Sequence, residues 1–581
     1  MKIKTNILLR IYFVFGIIFV AGLLVLWEAF SIQQYKDGFW EKKADALSTK
    51  QFSIPAERGN IYSTDERLLA TSLPYFDVYM DLAADGMTQQ LFESNIDALA
   101  EKLSSTFKGK SKETWKREIT KARVAKKRYY PIRKNVDYAL MKEMKQWPLF
   151  KEGKYKGGLI AEMQQKRKYP YEVLANRTIG YVRENAPSIG LEASYDAYLA
   201  GTDGRVLKQK LAGDVWMPIP GAAKIDPKNG KDIISTLQIN LQDAAETALM
   251  TALQESKSEF GCAIVMEVQT GAIRAMANLG LLQDSSYGEI RNYAISHRAE
   301  PGSTFKLASY LMLLDANHIK PTDTIHIGAG AWKFYNRFMR DDHITEDFLS
   351  IKEAFARSSN IAIARLANRH YASKKQVYYK KLQEYGLTEV TGIDLEGEVP
   401  PVINKPDKWS KLSLPWMSTG YELMLTPLQV LSFYNAVANN GVIMKPYLVE
   451  AVVDGGNRES LAPIISSQKP FASEQAIKHA HYLLRQVIEH PKGTAKGIAS
   501  EYFPLAGKTG TAKLLSTDDQ SYGKANQAMF AGFFPADNPR YSCVVLIYNP
   551  QGAARTGGSV AAPVFKTIAE RALATDIGSA L

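Results

Sequence analysis

At 581 residues, with 46% hydrophobic and 23% charged content, the chain is too long for one ordinary core and has the composition of a folded protein, which excludes a mainly disordered polymer. Lys and Arg exceed Asp and Glu to give a net charge of +12. Part of that excess clusters between Lys108 and Lys134, at Lys116, Arg117, Lys121, Arg123, Lys126, Lys127 and Arg128, without the aromatic platform or motif of a nucleic-acid site, so a solvated helix face and no nucleic-acid partner are expected.

The first element is a membrane anchor. Ile11 to Trp27 is an unbroken run of apolar residues and Gly, extended backwards by Ile7, Leu8 and Leu9. With Arg10 snorkelling toward the headgroups, it reaches the roughly 20 residues that a spanning helix needs. Lys2, Lys4 and Arg10 precede it, which keeps residues 1–6 in the cytoplasm and exports everything after the 7–27 anchor. A cleavable signal peptide is the rival reading, but the run exceeds the usual core of one and no small-x-small cleavage site follows. No second run of this length follows, so the expectation is a single-pass protein.

Residues 28–231 are expected to form a mixed α/β pedestal without a catalytic constellation. Ser31 to about Ser53 reads as a polar helical stalk. Arg58-Gly59-Asn60-Ile61-Tyr62 and Leu68-Leu69-Ala70-Thr71 read as short strands around a turn, and about Gln89 to Lys127 as a Lys-rich helical region. Pro218, Pro220 and Gly221 interrupt regular structure further on.

A second domain is expected over residues 232–581. Ile233 to Leu237 reads as a strand, and Leu241, Ala245, Leu249 and Ala252 follow helical spacing. Cys262 to Val268 and Ala272 to Ala277 form a predicted hairpin. Thr426-Pro427 is a helix start, with Asn439-Asn440-Gly441 as its stop. Three strands, about Leu505–Lys513, Ala528–Phe534 and Tyr541–Tyr548, precede a closing helix from about Val560 to Leu573. The predicted fold class is α+β, with a central antiparallel sheet flanked by helices. Cys262 and Cys543 both fall in apolar strands; buried thiols are expected, and a bridge is possible where the strands are neighbours.

Three polar clusters in this domain carry the chemistry. Pro301-Gly302 leads into Ser303-Thr304-Phe305-Lys306 and a largely apolar continuation, so Ser303 should open a buried helix with the Lys306 amine on the same face. The positive end of a helix disfavours an ammonium and favours an oxyanion. Ser358-Ser359-Asn360 lies between two helical stretches and presents Ser358, able to pass a proton, and the Asn360 amide, able to bond a substrate carbonyl and the lysine. Lys508-Thr509-Gly510-Thr511 lies on a predicted strand whose edge could pair with an extended peptide, with Lys508, Thr509 and Thr511 around a terminal carboxylate and Gly510 allowing close backbone approach. Lys508 could also help to lower the Lys306 pKa. The backbone N–H groups of Ser303 and Thr511 would form an oxyanion hole. A serine nucleophile, an amine base, a relay and a cationic strand together describe acyl transfer.

With these motifs the chain resembles the class B penicillin-binding proteins, membrane-anchored peptidoglycan D,D-transpeptidases. The resemblance extends to Arg58-Gly59-Asn60-Ile61-Tyr62, Gly190-Leu191-Glu192, Gly420-Tyr421-Glu422-Leu423 with Thr426-Pro427-Leu428-Gln429, and Ala561-Ala562-Pro563-Val564-Phe565. It implies that Ser303 attacks the carbonyl between two terminal D-alanines of a stem peptide and that a neighbouring stem amine resolves the acyl-enzyme. It further implies penicillins as mimics of the donor, structural roles for Arg58 and Glu192, no cofactor, and partners among a membrane-embedded glycosyltransferase and other division proteins. The absence of a His-Glu-x-x-His pattern argues against a catalytic metal. The division-specific branch matches more closely than the elongation-specific one. A serine β-lactamase and a non-catalytic scaffold or β-lactam sensor are the rival functions.

Overall fold

The computed structural model describes residues 2–34, 49–183, 186–211, 215–219, 224–461, 463–467, 469–515 and 522–579. Most of the helical stalk expected from Ser31 to about Ser53, and the Pro220-Gly221 break, lie outside these residues; the described end of the stalk, Thr49–Ile54, is instead a strand paired with Gly204–Leu211. The chain divides into two compact units: residues 1–57, 74–165 and 201–229 form one, and residues 58–73, 166–200 and 230–581 the other.

The first unit begins with the helix Lys2–Gln34, within which Thr5–Ser31 is long and apolar enough to cross a membrane. Its apolar side chains, such as Phe13, Ile18 and Leu24, lie exposed along the helix. The predicted Lys-rich helical region is two helices, Gln89–Thr106 and Lys112–Val124, because Ser111 caps the second through the Thr114 N–H after a turn at Gly109. Their apolar stripes, including Phe92, Leu99, Trp115 and Ile119, bury against Val78, Met80, Ile132 and Val136 of the pairing strands. The basic residues between them behave as expected of a solvated face: Lys110, Lys112 and Lys116 pair with Glu118, Glu101 and Asp97.

The second unit is built on a six-stranded antiparallel sheet. Its strands are β1 (Phe260–Glu267), β2 (Ile273–Leu281), β3 (Tyr287–Gly288), β6 (Ala506–Leu515), β7 (Tyr522–Phe534) and β8 (Tyr541–Tyr548); β4 (Ala331–Phe334) and β5 (Arg337–Arg340) form a separate hairpin. The sheet order is β3-β2-β1-β8-β7-β6, so the predicted hairpin and the three C-terminal strands join through β1 and β8, and β6 is left at an edge. Alternate side chains of β7 face opposite layers. Phe530 and Phe534 meet Phe565 of helix Ala562–Ser579, whereas Phe533 meets His481 of helix Glu474–Glu489. Burial on both faces explains why Val544 to Ile547 reads as a continuous apolar run.

Cys262 opposes Leu546 and Cys543 opposes Val265, three register positions apart, which puts the two sulfurs on opposite faces; both are free, buried thiols. Helix Pro427–Ala438 starts as predicted, with Thr426 and Gln429 bonding reciprocally in a capping box.

The helix after Ser303 is the centre of this unit. Residues 306–314 are buried all round, as expected of a helix enclosed on every side. Further along the unit, Glu192, with no exposed side-chain surface, lies between Arg58 at 2.7 Å and Arg167 at 2.6 Å, and Arg58 also bonds the Glu192 carbonyl at 2.7 Å. Both arginines belong to segments distant in sequence from the catalytic motifs. Removing the carboxylate takes the buried acid from between the two guanidinium groups and leaves Arg58 with the exposed Asp196 at 2.6 Å. Glu192→Ala should therefore cost about 3–5 kcal/mol, read as a loss of unfolding midpoint in detergent-solubilised protein, and an unchanged midpoint would show that the pair carries no structural load.

Candidate active site

The serine sits in a tight turn rather than in the first turn of an α-helix. Gly302–Phe305 is a single 3-10 turn, and α1 begins at Lys306 and runs to Asp315. The tighter turn is fixed from within and from behind: the Thr304 hydroxyl donates to the Pro301 carbonyl at 2.8 Å, and the buried Tyr434 hydroxyl donates to the Thr304 carbonyl at 2.7 Å. Ser303 remains partly accessible while Thr304, Phe305 and Lys306 are buried.

Two segments clasp this turn. Gly510 of β6 lies so close that a Cβ there would meet Thr304 Cγ2 at 2.9 Å and the Pro301 carbonyl at 3.0 Å, so the close backbone approach expected at Gly510 is made by the serine's own turn. Gly420, at φ +91°, lies closer still: its carbonyl accepts the Gly302 N–H at 3.2 Å, and a Cβ would fall 2.0 Å from the Gly302 carbonyl.

Lys306 and Lys508 have no exposed surface, an exceptional state for lysine. Lys306 Nζ donates to the Ser358 carbonyl at 2.5 Å and lies 3.2 Å from the Ser358 hydroxyl. Burial pushes the Lys306 amine down to about 7, against the opposing pull of Asp341 and then Asp342. Lys508 Nζ reaches the Thr509 carbonyl at 3.3 Å and faces the Phe355 ring at 5.8 Å. Burial, and next the charge of Lys306, hold it well below its ordinary value. The sequence expectation that Lys508 helps to lower the Lys306 pKa is therefore reversed: the charge of Lys306 lowers Lys508, while Lys306 is lowered by burial against Asp341 and Asp342.

The Ser358-Ser359-Asn360 cluster is the start of helix α2, Asn360–Tyr371, with Ser359 as its N-cap, bonded to the Ala362 N–H at 3.0 Å. Ser358, at φ +61°, occupies the left-handed region that side chains disfavour; a residue held there stores about 1–3 kcal/mol. That conformation accompanies a carbonyl within bonding distance of Lys306. Asn360 differs from the sequence expectation: its amide nitrogen lies 3.4 Å from the Arg340 carbonyl, and the hydrogen bonds of Lys306 go to Ser358.

Two further residues enter the site without having been selected from sequence. Asp341 accepts the Ser359 hydroxyl at 2.5 Å and the N–H groups of Asn360 at 2.5 Å and Ile361 at 3.2 Å, thereby capping α2 from a distant segment. Thr494 lies 2.8 Å, hydroxyl to hydroxyl, from Thr509, whose side chain is nearly buried. The Thr511 hydroxyl accepts the Gly557 N–H at 3.1 Å, which leaves its own proton to donate. Neither Asp341 nor Thr494 carries a local sequence signal, because each acts across a long loop.

Residues 261–570 match the penicillin binding protein transpeptidase domain, and residues 53–235 match the penicillin-binding protein dimerisation domain. The chain belongs to the penicillin-binding protein transpeptidase family. Among its relatives, the peptidoglycan D,D-transpeptidase FtsI of Buchnera aphidicola subsp. Baizongia pistaciae is 30% identical over 417 residues, covering 70% of each chain. The probable peptidoglycan D,D-transpeptidase PenA of Neisseria meningitidis serogroup B is 27% identical over 577 residues, covering 96% of this chain and 91% of that one. The fold is shared with penicillin binding protein 2X from Streptococcus thermophilus, at a TM-score of 0.76 and 20% identity over 91% of this chain and 80% of that one. It is also shared with penicillin binding protein 3 from Mycobacterium tuberculosis solved with aztreonam, at a TM-score of 0.66 and 22% identity over 90% and 97%.

The contact between Gly420 and Gly302 can be separated from simple backbone strain. Gly397 has a similar φ of +100° with open space where a Cβ would point. Gly397→Ala should lose about 1–3 kcal/mol from the dihedral alone. Gly420→Ala should lose clearly more, because the serine's turn must move; equal losses in thermal unfolding would mean that the turn does not depend on Gly420.

Proposed function

We propose that this chain is a peptidoglycan D,D-transpeptidase that crosslinks stem peptides through an acyl-enzyme on Ser303, in the wall synthesis that accompanies cell division. The observation that carries this reading is the buried amine of Lys306, brought near neutrality and fixed by Ser358 one helical turn from the serine. A neutral amine in that position can take the Ser303 proton as the hydroxyl attacks the donor carbonyl. The names of the FtsI relatives support the division role.

In this mechanism the carbonyl carbon bonds to Ser303 Oγ, the peptide bond to the terminal D-alanine breaks, and the leaving amine is protonated through Lys306 and Ser358. An acceptor amine then displaces Ser303 to form the crosslink. The backbone N–H groups of Ser303 and Thr511 would hold the oxyanion, where one donor is worth about 3–4 kcal/mol in the transition state. Gly510 and Thr511 would line the donor strand along the β6 edge, with Lys508, which has no exposed surface, behind them rather than on the terminal carboxylate as expected from sequence, and Asn360 would meet the substrate amide. Thr509, bonded to Thr494, supports that strand from behind. Neither a cofactor nor a metal is required by these steps. The N-terminal helix would anchor the protein in the bacterial cytoplasmic membrane, with residues 1–6 inside and the catalytic unit outside. The remaining partners on this reading are a membrane glycosyltransferase and other division proteins, and β-lactams would act as donor mimics.

Labelling with a fluorescent penicillin followed by peptide mapping should place the adduct on Ser303, and Ser303→Ala should abolish it. Label on another residue of correctly folded protein would remove the basis of the assignment. Rapid release of the labelled product would favour the β-lactamase reading.

The acylation rate should rise with pH and level off above about 7, since only the uncharged Lys306 amine acts as base. Lys306→Ala should slow acylation by about 10²- to 10⁴-fold. Because Asp341 favours the ammonium form of Lys306, Asp341→Asn should move the acid limb to lower pH whatever it does to the plateau rate. A limb that stays in place would show that Asp341 acts only as a helix cap.

A further inference from the structure

The β4–β5 hairpin lies beside the Ser358–Asn360 cluster and has two unlike faces. On its inner face Phe334 and Met339 are buried, and Trp332 is covered by the Arg365 guanidinium at 3.4 Å from the ring centre. On its outer face Lys333 stands opposite Phe338, with the ammonium 5.8 Å from the ring, and Phe338 is 61% exposed. Tyr335 at the turn is 50% exposed, with Lys411 above its ring at 5.8 Å. Arg340 is exposed on the same face, whereas Arg337, also exposed, stands opposite Phe334 on the other one.

Lys333 and Lys411 therefore each lie over an open aromatic ring, and Arg340 shares the face of Lys333 and Phe338. Among the described residues, Lys333, Arg340 and Lys411 make no ion pair, whereas Lys110, Lys112 and Lys116 on the other unit each have a carboxylate partner. The hairpin has no acidic residue of its own; of the two acids that follow it, Asp341 is taken up by the start of α2 and Asp342 is exposed, so the three cations outnumber the one free carboxylate. Such a surface calls for a ligand that brings further carboxylates, along with flat or ring-shaped groups for the aromatic faces.

The hairpin's position indicates which ligand. Its last residue, Arg340, accepts the Asn360 amide on its carbonyl, so the hairpin ends at the Ser358–Asn360 cluster. β6, proposed above to hold the donor, contacts the serine's turn through Thr304 instead. We propose that the cationic and aromatic face of this hairpin binds the acceptor strand, a carboxylate-bearing peptide on a saccharide chain, for the second half of the reaction. This inference rests on the transpeptidase assignment.

In that step the acceptor's primary amine attacks the ester carbonyl, a C–N bond forms, and the bond to Ser303 Oγ breaks. One amine proton passes through Lys306 to Ser303, which returns to the hydroxyl form. A cationic surface also disfavours protonation of the arriving amine and so keeps it nucleophilic.

The test uses full-length protein in detergent, a thioester donor peptide, and two synthetic acceptor amines that differ only in free against amidated carboxylates. The variant replaces Lys333, Arg340 and Lys411 with Ala; a second, Lys333→Glu, alters one exposed position only. For the carboxylate acceptor the ratio of aminolysis to hydrolysis should fall about tenfold in the triple variant, the sum of several exposed charge contacts. Lys333→Glu should lower it in the same direction. The amidated acceptor should respond little to either change, and penicillin acylation should stay within about twofold of the parent, since charge removal spares the acyl step and several exposed contacts together make only a modest difference. A ratio that survives both variants, or falls equally for both acceptors, overturns the proposal. A parent protein that penicillin does not acylate overturns the transpeptidase assignment itself.

Discussion

Two lysine side chains without solvent access, Lys306 and Lys508, impose the dominant constraint on the second unit. An ammonium moved from water into such a site loses several kcal/mol of solvation after the protein relaxes, so burial is tolerable only where the charge is lost or well bonded. Lys306 meets both conditions in part. Its amine donates to the Ser358 carbonyl and approaches the Ser358 hydroxyl, while Asp341 and Asp342 offset some of the depression. Lys508 has longer bonds, to the Thr509 carbonyl and hydroxyl, and burial and then the charge of Lys306 hold it well below its ordinary value. The reactive state of the site is thus a consequence of exclusion of water, maintained by the all-round burial of α1.

Topology places that constraint at the edge of a sheet. β1 pairs with β8, which joins segments nearly 300 residues apart, and the C-terminal hairpin then leaves β6 with one free side. An edge strand exposes unpaired backbone groups, a liability in most folds and a ready template for an extended peptide. Here Thr304, packed behind Gly510, sets the distance from that template to the serine.

Much of this was legible in the sequence because it is local or periodic. The Thr426-Pro427 start, the β1–β2 hairpin and the three polar clusters each announce themselves within a few residues. What sequence did not disclose acts at long range. Asp341 caps a helix that begins 19 residues later, and a cap is recognisable from sequence only when it directly precedes its helix. The expected Asn360–Lys306 bond fails for a related reason: Asn360 is the first residue of α2, and its side chain turns toward Arg340 on the preceding hairpin. Ser303 in a 3-10 turn follows from contacts to Pro301 and Tyr434 that no periodicity encodes.

The walls of the cleft meet where helix Ile351–Ala356 packs against helix Glu474–Glu489, with Ala354, Phe355, Leu483 and Val487 buried. Among the described residues, two polar links lie beside that packing. One is neutral: the Thr494 N–H donates to the Ala356 carbonyl at 3.1 Å, with the Thr494 hydroxyl on Thr509. The other is ionic: Glu346 accepts Arg357 at 2.8 Å and Lys492 at 2.9 Å, and these two cations, Arg357 first, hold its carboxyl well below the usual range. Salt screens the exposed Lys492 pair more than that of Arg357, whose side chain is only 9% exposed, and it leaves the apolar packing untouched. The apolar contact between the two helices therefore holds the walls together, and the polar links orient the segments that carry Ser358 and Thr509.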